Sequence, residues 1–421
     1  MSDRVGSGRL KIGLFLLLSV AVVFEGFDTK LASLVLPMLG GEFGAGPETL
    51  FSMLSILNSG MVLGVLIIPL ADRFGRRPIF LLSFSGYALF TLLTAFVTSV
   101  GLFALVQFFS KMFLVSQLAL AYVILSEEFP AESRGRANGL MGAFASVGAA
   151  LPAFFLAPLE ATSFGWRGLF VLGSLPLLLL PLYWARLRET RLFERVRAQR
   201  RESFFEMGRR LMAPGLRVRF VGVTLVWFIV NFWASVAMFS FVYYVFNERD
   251  WTAGDLQWVP LATVPFAFFG YALAGVVMDF VGRKQALCGF LILGVAASVL
   301  CYQTESYWGI VASWAALQML QGIWTIAATM TTELFVTEVR ASANALAHNL
   351  LGRWGMVLGP LAVGFLSGPC GSTGNAVSIL AGVNLLFLPA VIWMLPETRG
   401  IELGSPMEGD PEREAVSPES G

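Results

Sequence analysis

The chain has 421 residues, of which 56% are apolar and only 14% charged, with a formal net charge of +1. A mean hydropathy of +0.72 excludes an ordinary soluble domain. The near-zero net charge excludes a protein that holds nucleic acid by bulk electrostatics.

Apolar stretches long enough to cross a hydrocarbon core of ~30 Å, which takes ~20 helical residues, recur twelve times. They lie at 12–38, 50–70, 78–98, 101–126, 137–159, 167–186, 218–246, 256–278, 285–303, 307–332, 342–367 and 374–395. Segments of this length, rather than ten-residue alternating ones, exclude a β-barrel and predict helices whose backbone groups are satisfied within each segment. The first stretch is too long for a cleavable signal peptide and lacks a small-x-small site after it, so it is retained as helix 1.

The positive charges fall on one side of these helices. Arg4, Arg9 and Lys11 precede helix 1, Arg73, Arg76 and Arg77 follow helix 2, Arg134 and Arg136 follow helix 4, Arg283 and Lys284 follow helix 8, and Arg340 follows helix 10. Eleven arginines lie between Arg186 and Arg219, and anionic headgroups suffice to explain that block. By the positive-inside rule this side is cytoplasmic, with both termini. The opposite loops carry Glu42, Glu48, Glu160, Asp250, Asp255 and Glu305 against Arg167 and Arg249. The expected organisation is a six-helix bundle over 1–186, an Arg-rich linker over 187–216, a second six-helix bundle over 217–398 and a disordered Pro-, Ser- and Glu-rich tail over 399–421.

The single histidine, and the lack of metal-ligand spacing, nucleophile elbow or phosphate-cradling loop, leave no enzyme, metal or cofactor to expect. Cys288, Cys301 and Cys370 have no evident partners for a disulfide framework.

One short string occurs twice, as Asp72-Arg73-Phe74-Gly75-Arg76-Arg77 and as Asp279-Phe280-Val281-Gly282-Arg283-Lys284. It resembles the signature loop of the major facilitator superfamily between helices 2 and 3 and again between helices 8 and 9. Glu127-Glu128-Phe129-Pro130 with Arg134-Gly135, Glu333-Leu334-Phe335-Val336 with Glu338 and Arg340, and Pro396-Glu397-Thr398-Arg399-Gly400 resemble loop motifs of its sugar-porter and organic-ion branches. Glu25-Gly26-Phe27-Asp28, and Gly352-Arg353-Trp354-Gly355 with Gly359-Pro360, resemble motifs of the aromatic acid:proton symporters. The resemblance implies an all-α integral membrane fold of twelve transmembrane helices in two six-helix bundles. It implies gating by Asp72, Arg73, Gly75, Arg76, Arg77, Asp279, Gly282 and Arg283, and a central cavity lined by helices 1, 4, 7 and 10. Departures are also present: Ile68 replaces the usual glycine four residues before Asp72, with Gly64 one turn earlier, and Phe280 replaces a basic residue. Helix 4 carries Gln107, Lys111 and Gln117 in place of the usual arginine and glycines, and the spacing from Gly142 to Pro152 breaks the antiporter motif, which favours uptake.

A charge at a helix centre costs ~2.5–3.5 kcal/mol on insertion scales, so buried charges mark function by default. Glu25, Asp28 and Lys30 in helix 1, Lys111 in helix 4, and His348 and Arg353 in helix 11 are such groups. Asp28 and Lys30, two apart, do not face each other, whereas Glu25 and Asp28 share a face. Each has an architectural alternative: Glu25 hydrogen-bonding another helix, Lys30 pairing with a carboxylate, Lys111 neutralising Glu25 or Asp28, Arg353 packing among glycines, and His348 hydrogen-bonded within the bundle. Trp227, Asn231 and Trp233 in helix 7, and Gln321 and Trp324 in helix 10, would give flat walls with amide donors; the alternative for the aromatics is ordinary membrane packing.

The expected function is alternating-access, proton-coupled symport of a small organic anion, an aromatic or other carboxylate, by a monomer of the inner (plasma) membrane. Asp28, Glu25 and His348 are the candidates for proton coupling. Lys30, Lys111, Gln117, Trp227, Asn231, Trp233, Gln321, Trp324 and Arg353 are the candidates for substrate binding. The rivals are proton-driven efflux of an amphipathic drug or natural product, and a transporter-like receptor that moves nothing. Cysteine-accessibility labelling is expected to place the linker from Arg186 to Arg219 in the cytoplasm and Glu42 and Asp255 outside; an external linker would refute the two-bundle topology.

Overall fold

The computed structural model describes residues 2–129, 131–190, 193, 204–335 and 337–400, so the tail after 400 and part of the linker lie outside the described residues. Among them every regular element is a helix, and eleven helices are long and apolar enough to cross a membrane. We label them with the second stretch as α1 (Ile12–Leu34), α2 (Pro47–Gly64), α3 (Arg76–Thr94), α4 (Val100–Glu128), α5 (Arg136–Glu160), α6 (Arg167–Arg186), α7 (Arg217–Glu248), α8 (Ala253–Val281), α9 (Arg283–Gln303), α10 (Tyr307–Leu334), α11 (Ser342–Ser367) and α12 (Thr373–Met394).

The stretch expected as one helix over 50–70 is broken. Regular α-helix stops at Gly64, and the chain continues through i→i−3 bonds such as Ile67 N–H to Gly64 C=O, 3.0 Å, into a short helix over Leu70–Phe74. Pro69 supplies the reason, since it has no N–H to donate and its ring crowds the preceding turn. The change to a tighter winding keeps the backbone groups satisfied, as hydrocarbon requires.

By chain proximity the molecule divides into two compact units. The first holds α1 to α6 together with Phe239–Val264 and Val363–Thr373. Inside it, Phe51 meets Tyr243 edge-on at 5.4 Å, Phe154 meets Trp258 at 5.1 Å, and Glu248 accepts the Thr373 N–H at 2.5 Å. The second holds α7 as far as Met238, Pro265–Ala362 and the chain from Gly374.

Glycines set the closest helix crossings, and the two units repeat the scheme. In the first, Gly26 of α1 lies against the Ala145 carbonyl of α5 and Gly148 of α5 against the Val23 carbonyl of α1, while Gly60 and Gly64 of α2 face Phe108 and Met112 of α4. In the second, Gly355 and Gly359 of α11 face Phe228 and Ser235 of α7, and Gly270 of α8 faces Met319 of α10. Small residues let backbones approach where apolar lipid provides no other drive for helix association. Gly64 therefore supplies the tight contact that Ile68 cannot, whereas Gly275, in the position usual for the motif, has nothing within 4 Å of where a Cβ would stand.

Gly148→Leu is expected to cost at least about 1–3 kcal/mol by overpacking, read as loss of the monodisperse peak in detergent. Gly139→Leu, on the same helix with nothing within 4 Å, should be tolerated.

Candidate functional site

The first unit contains a closed ionic core. Asp28 is 0% exposed and Lys111 1%. The Lys111 ammonium donates to Asp28 Oδ2 at 3.0 Å and to the Asp28 backbone carbonyl at 2.5 Å. Thr91 of α3 donates to the other carboxylate oxygen, Oδ1, at 2.7 Å, and lies 3.0 Å from the Ser110 hydroxyl. One turn away on α3 and α4, in a separate contact, the Gln107 amide donates to Thr94 at 2.9 Å. Each oxygen of Asp28 is thus engaged and neither charge touches solvent, so removing one partner would leave the other uncompensated, a loss of about 3–5 kcal/mol. Of the two acidic partners open to Lys111, Asp28 takes it. Glu25, 8% exposed, instead accepts the Thr29 hydroxyl one turn along its own helix at 2.9 Å. Lys30 turns away from Asp28 and lies 5.6 Å from the ring centre of Phe239, a cation–π contact. Gln117, two turns from Lys111 on α4, is wholly buried and neither of its amide heavy atoms has a protein partner.

The second unit contains an aromatic wall. The His348 imidazole stacks on Trp227, with centroids 3.7 Å apart and planes at 18°, and meets Trp324 at 5.7 Å and 66°. Trp227 is anchored by its Nε1–H to Thr331 at 2.9 Å, and Trp324 by its Nε1–H to Gln321 Oε1 at 3.0 Å. Asn231, 0% exposed, donates to the Trp227 carbonyl at 2.7 Å. His348 lies in a π-helical segment, Ala345–Gly352, closed by a bond from the Arg353 N–H to the His348 carbonyl at 3.1 Å. The Arg353 guanidinium reaches Asn349 Oδ1 at 3.4 Å. Trp233 does not join this wall: its ring packs on Gly294 and its Nε1–H donates to Ser298 of α9 at 3.1 Å.

Two matched charge clasps hold the helix ends near the repeated loops. Arg76 pairs with Asp72 at 2.9 Å and with Glu127 at 3.0 Å, and Glu189 accepts the Arg76 backbone N–H at 2.9 Å. Arg283 pairs with Asp279 at 3.1 Å and with Glu333 at 2.8 Å, and Glu397 accepts the Arg283 N–H at 2.8 Å. Thr190 donates to Glu127, and Thr398 to Glu333. Gly75 and Gly282 carry φ of 109° and 101°, a region an L side chain avoids, and a Cβ on either would strike the capping glutamate. Arg77 caps the end of α6 through the carbonyls of Leu187 and Trp184, each at 2.8 Å, and Arg73 lies over Phe74, outside the clasp. Sequence reasoning missed Glu189 and Thr190 and assigned no role to Glu127, Glu333, Glu397 or Thr398. The signal was present: Glu189-Thr190-Arg191 repeats as Glu397-Thr398-Arg399.

A third clasp joins Glu42 to Arg167 at 2.7 and 2.8 Å and to the Trp166 indole at 2.8 Å. The Arg167 hydrogen bonds, helped by Trp166 and opposed by partial burial, hold the Glu42 carboxyl below its usual range. Its contribution to stability is therefore present above pH ~4.3 and fades as pH falls through the depressed value.

Arg76→Lys and Arg283→Lys each lose the forked contact to glutamate, and each is expected to cost about 2 kcal/mol, read as a lower melting temperature in detergent. Arg73→Lys, outside the clasp, should leave the melt unchanged.

Against known proteins, the residue pattern of the Major Facilitator Superfamily matches residues 18–248. The chain is 28% identical over 388 residues to NiaP of Bacillus subtilis (strain 168), covering 90% of this chain and 95% of that protein. It is 24% identical over 439 residues to the niacin transporter NiaP of Acinetobacter baylyi, covering 96% and 98%. It is 28% identical over 392 residues to the cis,cis-muconate transport protein of the same bacterium, covering 87% and 89%. Among solved structures, the inward-open xylose transporter XylE of E. coli aligns with a TM-score of 0.73 at 15% identity, over 93% of this chain and 97% of that one.

Proposed function

The chain belongs to the Major Facilitator Superfamily, and from that premise we propose that it is a proton-coupled symporter of a small organic carboxylate. It is a multi-pass membrane transporter and not an enzyme. Relatives that align over nearly the whole chain are named for niacin and cis,cis-muconate, both small organic acids in anionic form at neutral pH, which supports the substrate class. The inner membrane, with both termini cytoplasmic, is the location that the charge asymmetry supports.

The observation that carries the coupling is the Asp28–Lys111 pair, buried and fully hydrogen-bonded. In its resting form the pair is neutral. An anion binding to Lys111 alone would leave the site with a net negative charge in a medium of low dielectric. A proton binding to Asp28 alone would leave Lys111 uncompensated. Either error costs about 3–5 kcal/mol, whereas proton and anion arriving together keep the site neutral: Asp28 becomes a carboxylic acid that still accepts from Thr91, and Lys111 exchanges one anionic partner for another. Charge balance within this pair thus favours a proton and a carboxylate arriving together, with the buried Glu25 and the partly buried Lys30 of the same helix adding their own charges to the site. Alternating access of the two halves, with the clasps at Arg76 and Arg283 locking and releasing helix ends, would then carry the loaded site across the membrane.

Asp28→Asn is expected to abolish accumulation driven by a pH gradient in proteoliposomes while leaving substrate exchange measurable. Lys111→Gln should weaken carboxylate binding by about 2–5 kcal/mol, and Lys111→Arg should restore part of it. Wild-type pH dependence in Asp28→Asn would remove the carboxylate from the coupling role, and full affinity in Lys111→Gln would make the lysine a structural partner.

A further inference from the structure

His348 is held unusually firmly for a group with an unused hydrogen-bonding atom. Trp227 covers one face of the imidazole at 3.7 Å, Trp324 meets it edge-on, and both indoles are themselves tethered, to Thr331 and Gln321. Gly352 admits α11 against the Trp227 backbone and Cβ, so the ring cannot easily recede. Yet His348 Nε2 is buried without a hydrogen-bond partner, and so are Gln321 Nε2 and Asn231 Oδ1. Those atoms come from three helices, α11, α10 and α7, and belong to the side chains grouped around Trp227 and Trp324. Each orphaned group costs about 1–3 kcal/mol, and a core selected only for packing would have replaced them with apolar atoms.

The π-helical segment gives the reason His348 and Arg353 cooperate. Residues five apart lie about 140° from each other around an α-helix of 3.6 residues per turn. An i→i+5 bond winds them one above the other, and here that bond runs from the Arg353 N–H to the His348 carbonyl. The wide turn thus swings a guanidinium toward the face that presents the imidazole.

We propose that this π turn reads the ring of the substrate: the Nε2 edge of His348 and the Gln321 amide hydrogen-bond a polar atom in or on a planar ring, with the Arg353 guanidinium, carried on the same turn, as a further donor. The inference rests on the organic-carboxylate reading and deepens it, because it predicts selection against a bare hydrocarbon ring. A site built around hydrogen-bonding groups rejects an analogue that leaves them unpaired, whereas an apolar slot does not.

The test is isothermal titration of the purified full-length transporter with benzoate, pyridine-3-carboxylate and 4-hydroxybenzoate. At least one of the two polar rings is expected to bind about tenfold or more tighter than benzoate, the worth of one well-made hydrogen bond. His348→Phe keeps the stack and removes the nitrogens; it should leave benzoate affinity within about threefold and erase the preference. Gln321→Leu, read in the same way with His348 intact, should reduce the preference and serves where His348→Phe does not fold. Wild-type protein that binds benzoate as well as both polar rings, or a preference that survives both substitutions, overturns the ring-reading role and leaves carboxylate transport standing. Binding of none of the three also overturns the ring-reading role, and if cis,cis-muconate, an acyclic carboxylate, fails to bind as well, the carboxylate reading falls with it.

Discussion

A charge placed in hydrocarbon must find its counter-charge inside the protein, and this constraint organises the first unit. Asp28 and Lys111 meet because α1, α3 and α4 each contribute to one closed network, with Thr91 and the Asp28 backbone carbonyl completing it. The pair joins α1 and α4, and glycines hold each of these helices against a further neighbour, at the α1–α5 and α2–α4 crossings. Packing and electrostatics are therefore not separable here. Moving α1 by the width of one methyl group would stretch an ion pair that water cannot rescue.

The same economy governs the repeated loops. A short connection between two membrane helices must end one helix, start the next and satisfy the N–H groups exposed at that start. Gly75 and Gly282 take the positive φ that the turn needs, and Glu189 and Glu397 each cap the N–H groups that follow. Those glutamates come from beyond the sixth and twelfth helices, so each of these two clasps ties the first turn of one helix to the far end of its own half. Arg76 and Arg283 then draw in Glu127 and Glu333. A change of state that separates these ends must break several charge-assisted bonds together, which makes the motion a switch between discrete arrangements rather than a gradual bend.

Hydropathy and the repeated loop motif made the helical fold readable from the sequence, because a bilayer imposes a length and a composition that leave plain traces. What it left undecided depends on rotation about helix axes. Glu25 and Asp28 share a face on paper, and only the packed structure shows that Asp28 takes Lys111 while Glu25 bonds to Thr29. Trp227 and Trp233 look alike as wall residues, yet one joins His348 and the other turns to Ser298. The break in the second stretch was foreshadowed by Pro69, but a run of apolar residues conceals a change of winding. The Glu189 clasp was hidden for another reason: its three-residue repeat lies in an arginine block whose charge drew the eye away from pattern.

Irregular backbone in a membrane helix is costly, so where it persists it marks what the fold is for. Several helices here depart from regular winding within the apolar region, among them α2 after Gly64, α6 at Ser174 and Leu175, α12 over Asn384–Phe387, α10 at Gln321 and Gly322, and α11 from Ala345 to Gly352. The last two bear on the aromatic wall, one placing Gln321 next to Trp324 and the other carrying His348. The first unit, by contrast, keeps α1, α3 and α4 regular around its ion pair. A charge pair needs only proximity and dryness, which straight helices crossing at glycines provide. Recognition of a ring needs donors and acceptors aimed at chosen angles, which a uniform 3.6-residue period cannot supply from neighbouring helices at once.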